Sequence, residues 1–75
     1  MNVRSAKGVL LTRREREIVT LVAEGLTNNE LADRLCISEA TVRTHLTSIF
    51  QKLGVRNRLK LVVYTYKHNL VETPK

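Results

Sequence analysis

The stretch Thr27-Asn28-Asn29-Glu30-Leu31-Ala32-Asp33-Arg34-Leu35-Cys36-Ile37-Ser38-Glu39-Ala40-Thr41-Val42-Arg43 decides the fold. Glu30 follows Thr27 at the spacing in which each side chain bonds the other residue's free backbone N–H at the start of a helix. Leu31, Ala32 and Leu35 then give a short helix over 28–35 its buried side. Ser38 offers the next N-cap, and Glu39 lies in the following turn, where a negative charge meets the positive end of the helix dipole. Only Cys36, Ile37 and Ser38 remain as a turn between the two helices. That spacing describes a helix-turn-helix.

Working toward the C-terminus, Val42, Leu46, Ile49, Phe50 and Leu53 recur at helical spacing and set one apolar face on a helix over 39–53, closed by Gly54. At 100° per residue the opposite face collects Ala40, Thr44, Thr47, Ser48 and Gln51, with Arg43 on one flank and His45 and Lys52 on the other. No acidic side chain falls on it. Asn57 caps a further helix over 58–68, which Asn69 can end in the left-handed conformation. This helix is apolar almost all round. Leu61, Val62 and Thr65 cluster on one side and Leu59, Val63, Tyr66 and Leu70 on a second, with Tyr64 and His68 on a third. Such a helix has more apolar surface than one small core covers, so Leu59, Val63, Tyr64 and Tyr66 are read as a candidate dimer surface.

Toward the N-terminus, Thr12 and Glu15 repeat the reciprocal cap and open a helix over 13–24, with Ile18, Val19, Leu21 and Val22 as its apolar stripe and Gly25 beyond its end. The expected fold is all-α, a four-helix bundle that contains the helix-turn-helix. Residues 1–9 read as a flexible tail or linker stump, 10–71 as the domain and 72–75 as a C-terminal tail.

The chain of 75 residues carries thirteen Lys and Arg against seven Asp and Glu. Basic and acidic residues balance over 1–33, and the whole excess of +6 lies from Arg34 onward. An uncompensated basic surface attracts phosphates and gains from counterion release, which points to a polyanion partner. One domain is the limit at this length, and such a domain buries only about 60% of the surface of its unfolded chain. The single cysteine, Cys36, excludes an internal disulfide, and it is expected to be a partly buried small hydrophobe. No apolar run approaches the roughly 18 residues that span a bilayer, so a cytoplasmic protein without membrane contact is expected. His45 and His68 stand far apart with no ligand spacing, and the glycines are isolated. Neither catalysis nor a metal, cofactor or nucleotide site is indicated. Phe50 sits on the core stripe, which leaves no aromatic platform for single-stranded RNA.

A protruding α-helix fits the major groove of DNA, where each base pair presents its own pattern of donors, acceptors and methyl groups. Arg43 can bond guanine bidentately, and Thr44 and Thr47 can offer a methyl to thymine or a hydroxyl to a base edge. His45 and Lys52 lie where they can touch the sugar-phosphate backbone.

Leu11-Thr12-Arg13-Arg14-Glu15-Arg16-Glu17, Gly25-Leu26-Thr27-Asn28-Asn29-Glu30-Leu31-Ala32, Ile37-Ser38-Glu39-Ala40-Thr41-Val42-Arg43-Thr44-His45 and Lys52-Leu53-Gly54-Val55-Arg56-Asn57-Arg58 arrive in order. Together they resemble the LuxR-type DNA-binding domain, the LuxR/NarL/GerE group of bacterial transcription regulators, over residues 10–71. The resemblance implies a third helix in the major groove, with Arg43, Thr44 and Thr47 at base-contacting positions. It places Asn28, Thr41, His45 and Lys52 at backbone-contacting positions, to which Arg56 and Arg58 at the basic junction of the last two helices are added. It also implies a fourth helix that pairs two domains on inverted-repeat DNA. Asn29 and Thr47 stand where the family often has basic residues, and Leu61 and Thr65 where it commonly has Ala. Such domains usually follow a receiver or ligand-binding domain, so no small-molecule ligand is expected in this one, while RNA polymerase is a further candidate partner. Two other readings are a sigma-factor region-four-like promoter module and a protein-interaction module that docks through the fourth helix.

Overall fold

Each helix begins on a side chain that accepts a backbone N–H from the first turn, and these caps set the boundaries. In the computed structural model, which describes residues 11–70, the helices are α1 (Arg13–Ala23), α2 (Asn28–Leu35), α3 (Glu39–Leu53) and α4 (Arg58–Lys67). Thr12, Thr27, Ser38 and Asn57 are the N-caps, and reciprocal bonds with Glu15 and Glu30 complete the boxes at Thr12 and Thr27. No strand occurs among the described residues, and the fold is all-α. Helices α2 and α3 have the expected bounds, while α1 and α4 stop one residue earlier than expected, with Glu24 and His68 as caps. The tails expected at 1–9 and 72–75 lie outside the described residues.

The helix ends share one solution. After α1 the N–H of Leu26 donates to Leu21 O and that of Gly25 to Val22 O, which closes the last turn around a left-handed residue. The same long-range turn bond runs from Ile37 to Ala32, from Val55 to Phe50 and from Leu70 to Thr65. The left-handed residues are Gly25, Cys36, Gly54 and Asn69. Gly54 and Asn69 are residues that adopt this conformation readily, as Gly25 is. Cys36 is not, and its placement corrects the sequence reading: with φ 61° its side chain is exposed, not packed as a small hydrophobe. Replacing Cys36 with Gly removes the Cβ clash of the left-handed turn. Cys36→Gly is therefore expected to raise stability by about 0.5–1 kcal/mol, read as a higher urea midpoint with an unchanged slope.

Helix α1 is the hub. It packs against the three other helices, while α2 and α3 pack on each other as the two arms of the helix-turn-helix. Ile18, Val19, Leu31, Val42, Ile49, Leu53 and Leu61 form a closed apolar core. Leu61 and Thr65 of α4 are completely buried. The Thr65 hydroxyl is satisfied inside its own helix, donating to Val62 O at 2.7 Å. These two side chains thus face the core and leave the outer side of α4 free.

Candidate nucleic-acid interface

The apolar stripe of α3 is drawn inward by Val42, Leu46, Ile49 and Leu53, so the other side of the helix must face water. Arg43, Thr44, Thr47 and Gln51 are exposed there, with Thr44, Thr47 and Gln51 about one turn apart and Arg43 beside Thr44. The Arg43 guanidinium lies 3.7 Å from Glu39 Oε1, an exposed pair that water and salt screen and that a base can displace. Thr44 donates its hydroxyl to Ala40 O at 3.1 Å, which turns its donor inward and leaves its methyl and oxygen lone pair available. No side-chain hydrogen bond among the described residues engages Thr47. The three expected base-contacting residues therefore share one exposed face.

The flank toward α1 differs from the expectation. Ser48 was placed on the outer face and Lys52 beside the DNA backbone, but both turn toward Glu15 of α1. The Ser48 hydroxyl donates to Glu15 Oε2 at 3.0 Å, and Lys52 Nζ donates to Glu15 Oε1 at 2.8 Å. The same Oε1 accepts the Thr12 N–H at 2.9 Å, so one buried carboxylate caps α1 and fastens α3. Burial pushes the Glu15 carboxyl up. The bonds from Lys52, the Thr12 N–H and Ser48, together with the Lys52 charge, outweigh that push and hold it below the usual carboxylate value. Lys52 is thus part of an ion pair, with about a third of its side chain still exposed.

Among the other expected backbone contacts, Thr41 is exposed and its hydroxyl accepts from Ser38 Oγ at 3.0 Å. His45 is half-buried, and Arg56 is exposed on the loop before α4. Arg58 is not free. Its guanidinium donates to Asn28 Oδ1 and to Leu26 O, both at 2.6 Å, and so clamps the start of α4 to the start of α2.

On α4, Leu59, Val63 and Tyr66 are exposed and fall on one stripe, as a pairing surface requires. Tyr66 also donates its hydroxyl to Ala23 O at 3.3 Å. Tyr64, the fourth member of the expected surface, is half-buried against the core and stacks on the His68 ring with centroids 4.0 Å apart. Its phenol is pushed up by burial. Its position on α4, beside Leu61 rather than beside Val63, explains the difference. No helix among the described residues is long and apolar enough to cross a membrane. Among the same residues no group of three or more His, Cys, Asp and Glu side chains could hold a metal ion.

A helix-turn-helix whose second helix presents a cationic, acid-poor face matches the profile of "Bacterial regulatory proteins, luxR family" over residues 9–65. The chain belongs to the LuxR family. This LuxR-family domain is a DNA-binding module of transcription regulation. It is 43% identical over 63 residues to the response regulator protein VraR of Staphylococcus aureus, covering 84% of this chain and 30% of the relative. VraR of Staphylococcus epidermidis matches to the same extent. Among solved structures, the response regulator ChrA of a heme-sensing two-component system superposes with a TM-score of 0.77 at 46% identity, over 81% of this chain and 30% of that one. The LuxR-family domain thus spans about 30% of the length of these relatives.

The sequence did not reveal two polar ties of the site, Glu15 to Ser48 and Lys52, and Arg58 to Asn28 and Leu26. The first had a partial signal, because Ser48 and Lys52 are four apart and must share a flank of α3. The second joins residues thirty positions apart and had none.

Proposed function

We propose that this LuxR-family domain reads double-stranded DNA sequence specifically, with α3 in the major groove and Arg43, Thr44 and Thr47 on base edges. Asn28, Thr41, His45 and Arg56 meet the sugar-phosphate backbone, and Lys52 adds what remains of its charge. The observation that carries the reading is the exposed face of α3, where Arg43, Thr44 and Thr47 lie together while the opposite face is core. The domain pairs with a second copy on inverted-repeat DNA through Leu59, Val63 and Tyr66, an apolar stripe left open by the inward packing of Leu61 and Thr65. Its work is that of the DNA-binding part of a response regulator acting at promoters in the nucleoid, with RNA polymerase as a further partner; VraR and ChrA are response regulators.

Selection of bound duplexes from a random pool tests this directly. A two-fold symmetric consensus with half-sites about one helical turn apart supports the dimer, and a footprint confined to one half-site at saturation sinks it. Arg43→Ala is expected to cost about 1–3 kcal/mol at the selected site and to relax discrimination at one base position. Equal loss on the selected site and on random duplex would reduce Arg43 to a phosphate ligand.

A further inference from the structure

The Arg58 clamp carries an inference about how the phosphate contact is built, and it rests on the DNA-binding reading above. We propose that Arg58 is a positioning residue for Asn28 and not itself a DNA ligand. A guanidinium has only donors, so the atom of Asn28 that faces it must be the amide oxygen. Both N–H groups of Asn28 Nδ2 are then turned away from Arg58, and no hydrogen bond among the described residues uses them. The second guanidinium nitrogen holds Leu26 O, so the turn that delivers Asn28 is fixed by the same side chain. Asn28 without this clamp would sample either amide orientation, and only one presents donors to a phosphate oxygen. The clamp selects that one before DNA arrives. Arg58, the first residue of α4, is half-buried and its fork is committed at both nitrogens, unlike the exposed Arg56 on the loop before it.

Fluorescence anisotropy on a random-sequence duplex of about 20 base pairs tests this with the intact 75-residue chain, because phosphate contacts are independent of sequence. Asn28→Asp keeps an oxygen for Arg58 and replaces the phosphate donors with an acceptor. It is expected to retain the melting temperature and lose about tenfold or more in affinity. Arg58→Gln and Asn28→Ala are each expected to weaken binding several-fold, with the double variant no weaker than the worse single one. The salt dependence of Arg58→Gln stays parallel to that of the parent, whereas Arg56→Gln flattens it by close to one unit. Parent-like affinity in Asn28→Asp overturns the proposal, as do additive losses in the double variant or a one-unit change of slope in Arg58→Gln. If Arg58→Gln does not fold, Arg58→Lys takes its place: it keeps the charge but not the two-pronged clamp, so a several-fold loss of affinity with an unchanged salt slope supports the proposal and parent-like affinity overturns it. Failure of the parent chain to bind any duplex would instead remove the DNA-binding reading.

Discussion

Leu61→Ala lowers the melting temperature by at least about 10 °C and can leave the domain largely unfolded at 37 °C. Leu61 is completely enclosed by the packing of α4 on the rest of the core. Truncating such a leucine loses its transfer free energy and leaves a cavity, together about 2–5 kcal/mol. A domain of about 60 residues has only about 3–9 kcal/mol of stability in total, and in this size class each kcal/mol moves the melting point by about 4–8 °C. A small shift, measured by circular dichroism on heating, would mean that the helices collapse inward to fill the space. Leu59→Ala, on the exposed stripe of the same helix, supplies the control, since it should leave the melting point nearly unchanged.

Glu15→Ala is the second large effect, about 2–3 kcal/mol of stability. It removes the acceptor that caps the Thr12 N–H, and it takes the carboxylate partner from Lys52 and the acceptor from Ser48. The loss stays below that of a fully stranded buried charge because the Lys52 ammonium can still reach water. The sign of the pH effect follows from the direction of the Glu15 shift. Its folded-state pKa lies below the ordinary value, so the pair's contribution is complete above that ordinary value and is lost as pH falls through the folded one. Urea melts of the parent should therefore lose stability on acidification more steeply than those of Glu15→Gln, which has no charge to protonate. Parallel pH profiles would show that the ion pair contributes nothing.

Most of the fold was legible because its information is local. The reciprocal caps at Thr12 and Thr27, the caps Ser38 and Asn57, and the apolar spacing of α3 act within one or two turns, and the helices begin where they say. Residue type points Cys36 to a buried site, whereas the backbone needs a left-handed residue there and the sequence offers no glycine at that position. The exposed face of α3 with Arg43, Thr44 and Thr47 was legible for the same local reason as its core stripe. The placements of Ser48, Lys52, Tyr64 and Arg58 were not, since each depends on which neighbouring helix lies alongside, and periodicity along one helix does not report that. Charge counted along the chain was equally silent. It assigned Lys52 and Arg58 to the free basic surface, and three-dimensional packing committed both to protein acceptors.

The carboxylate of Glu15 holds Ser48 with one oxygen and Lys52 with the other, two residues one turn apart on α3. Two anchors on one side of a cylinder fix its roll about its own axis as well as its distance. A roll error of one residue, about 100°, would turn Arg43 off the exposed face it shares with Thr44 and Thr47 and bring a neighbour into its place. The exposed face of α3 is thus held in one orientation by the protein itself, so a partner that docks there would cost this helix little rotational freedom.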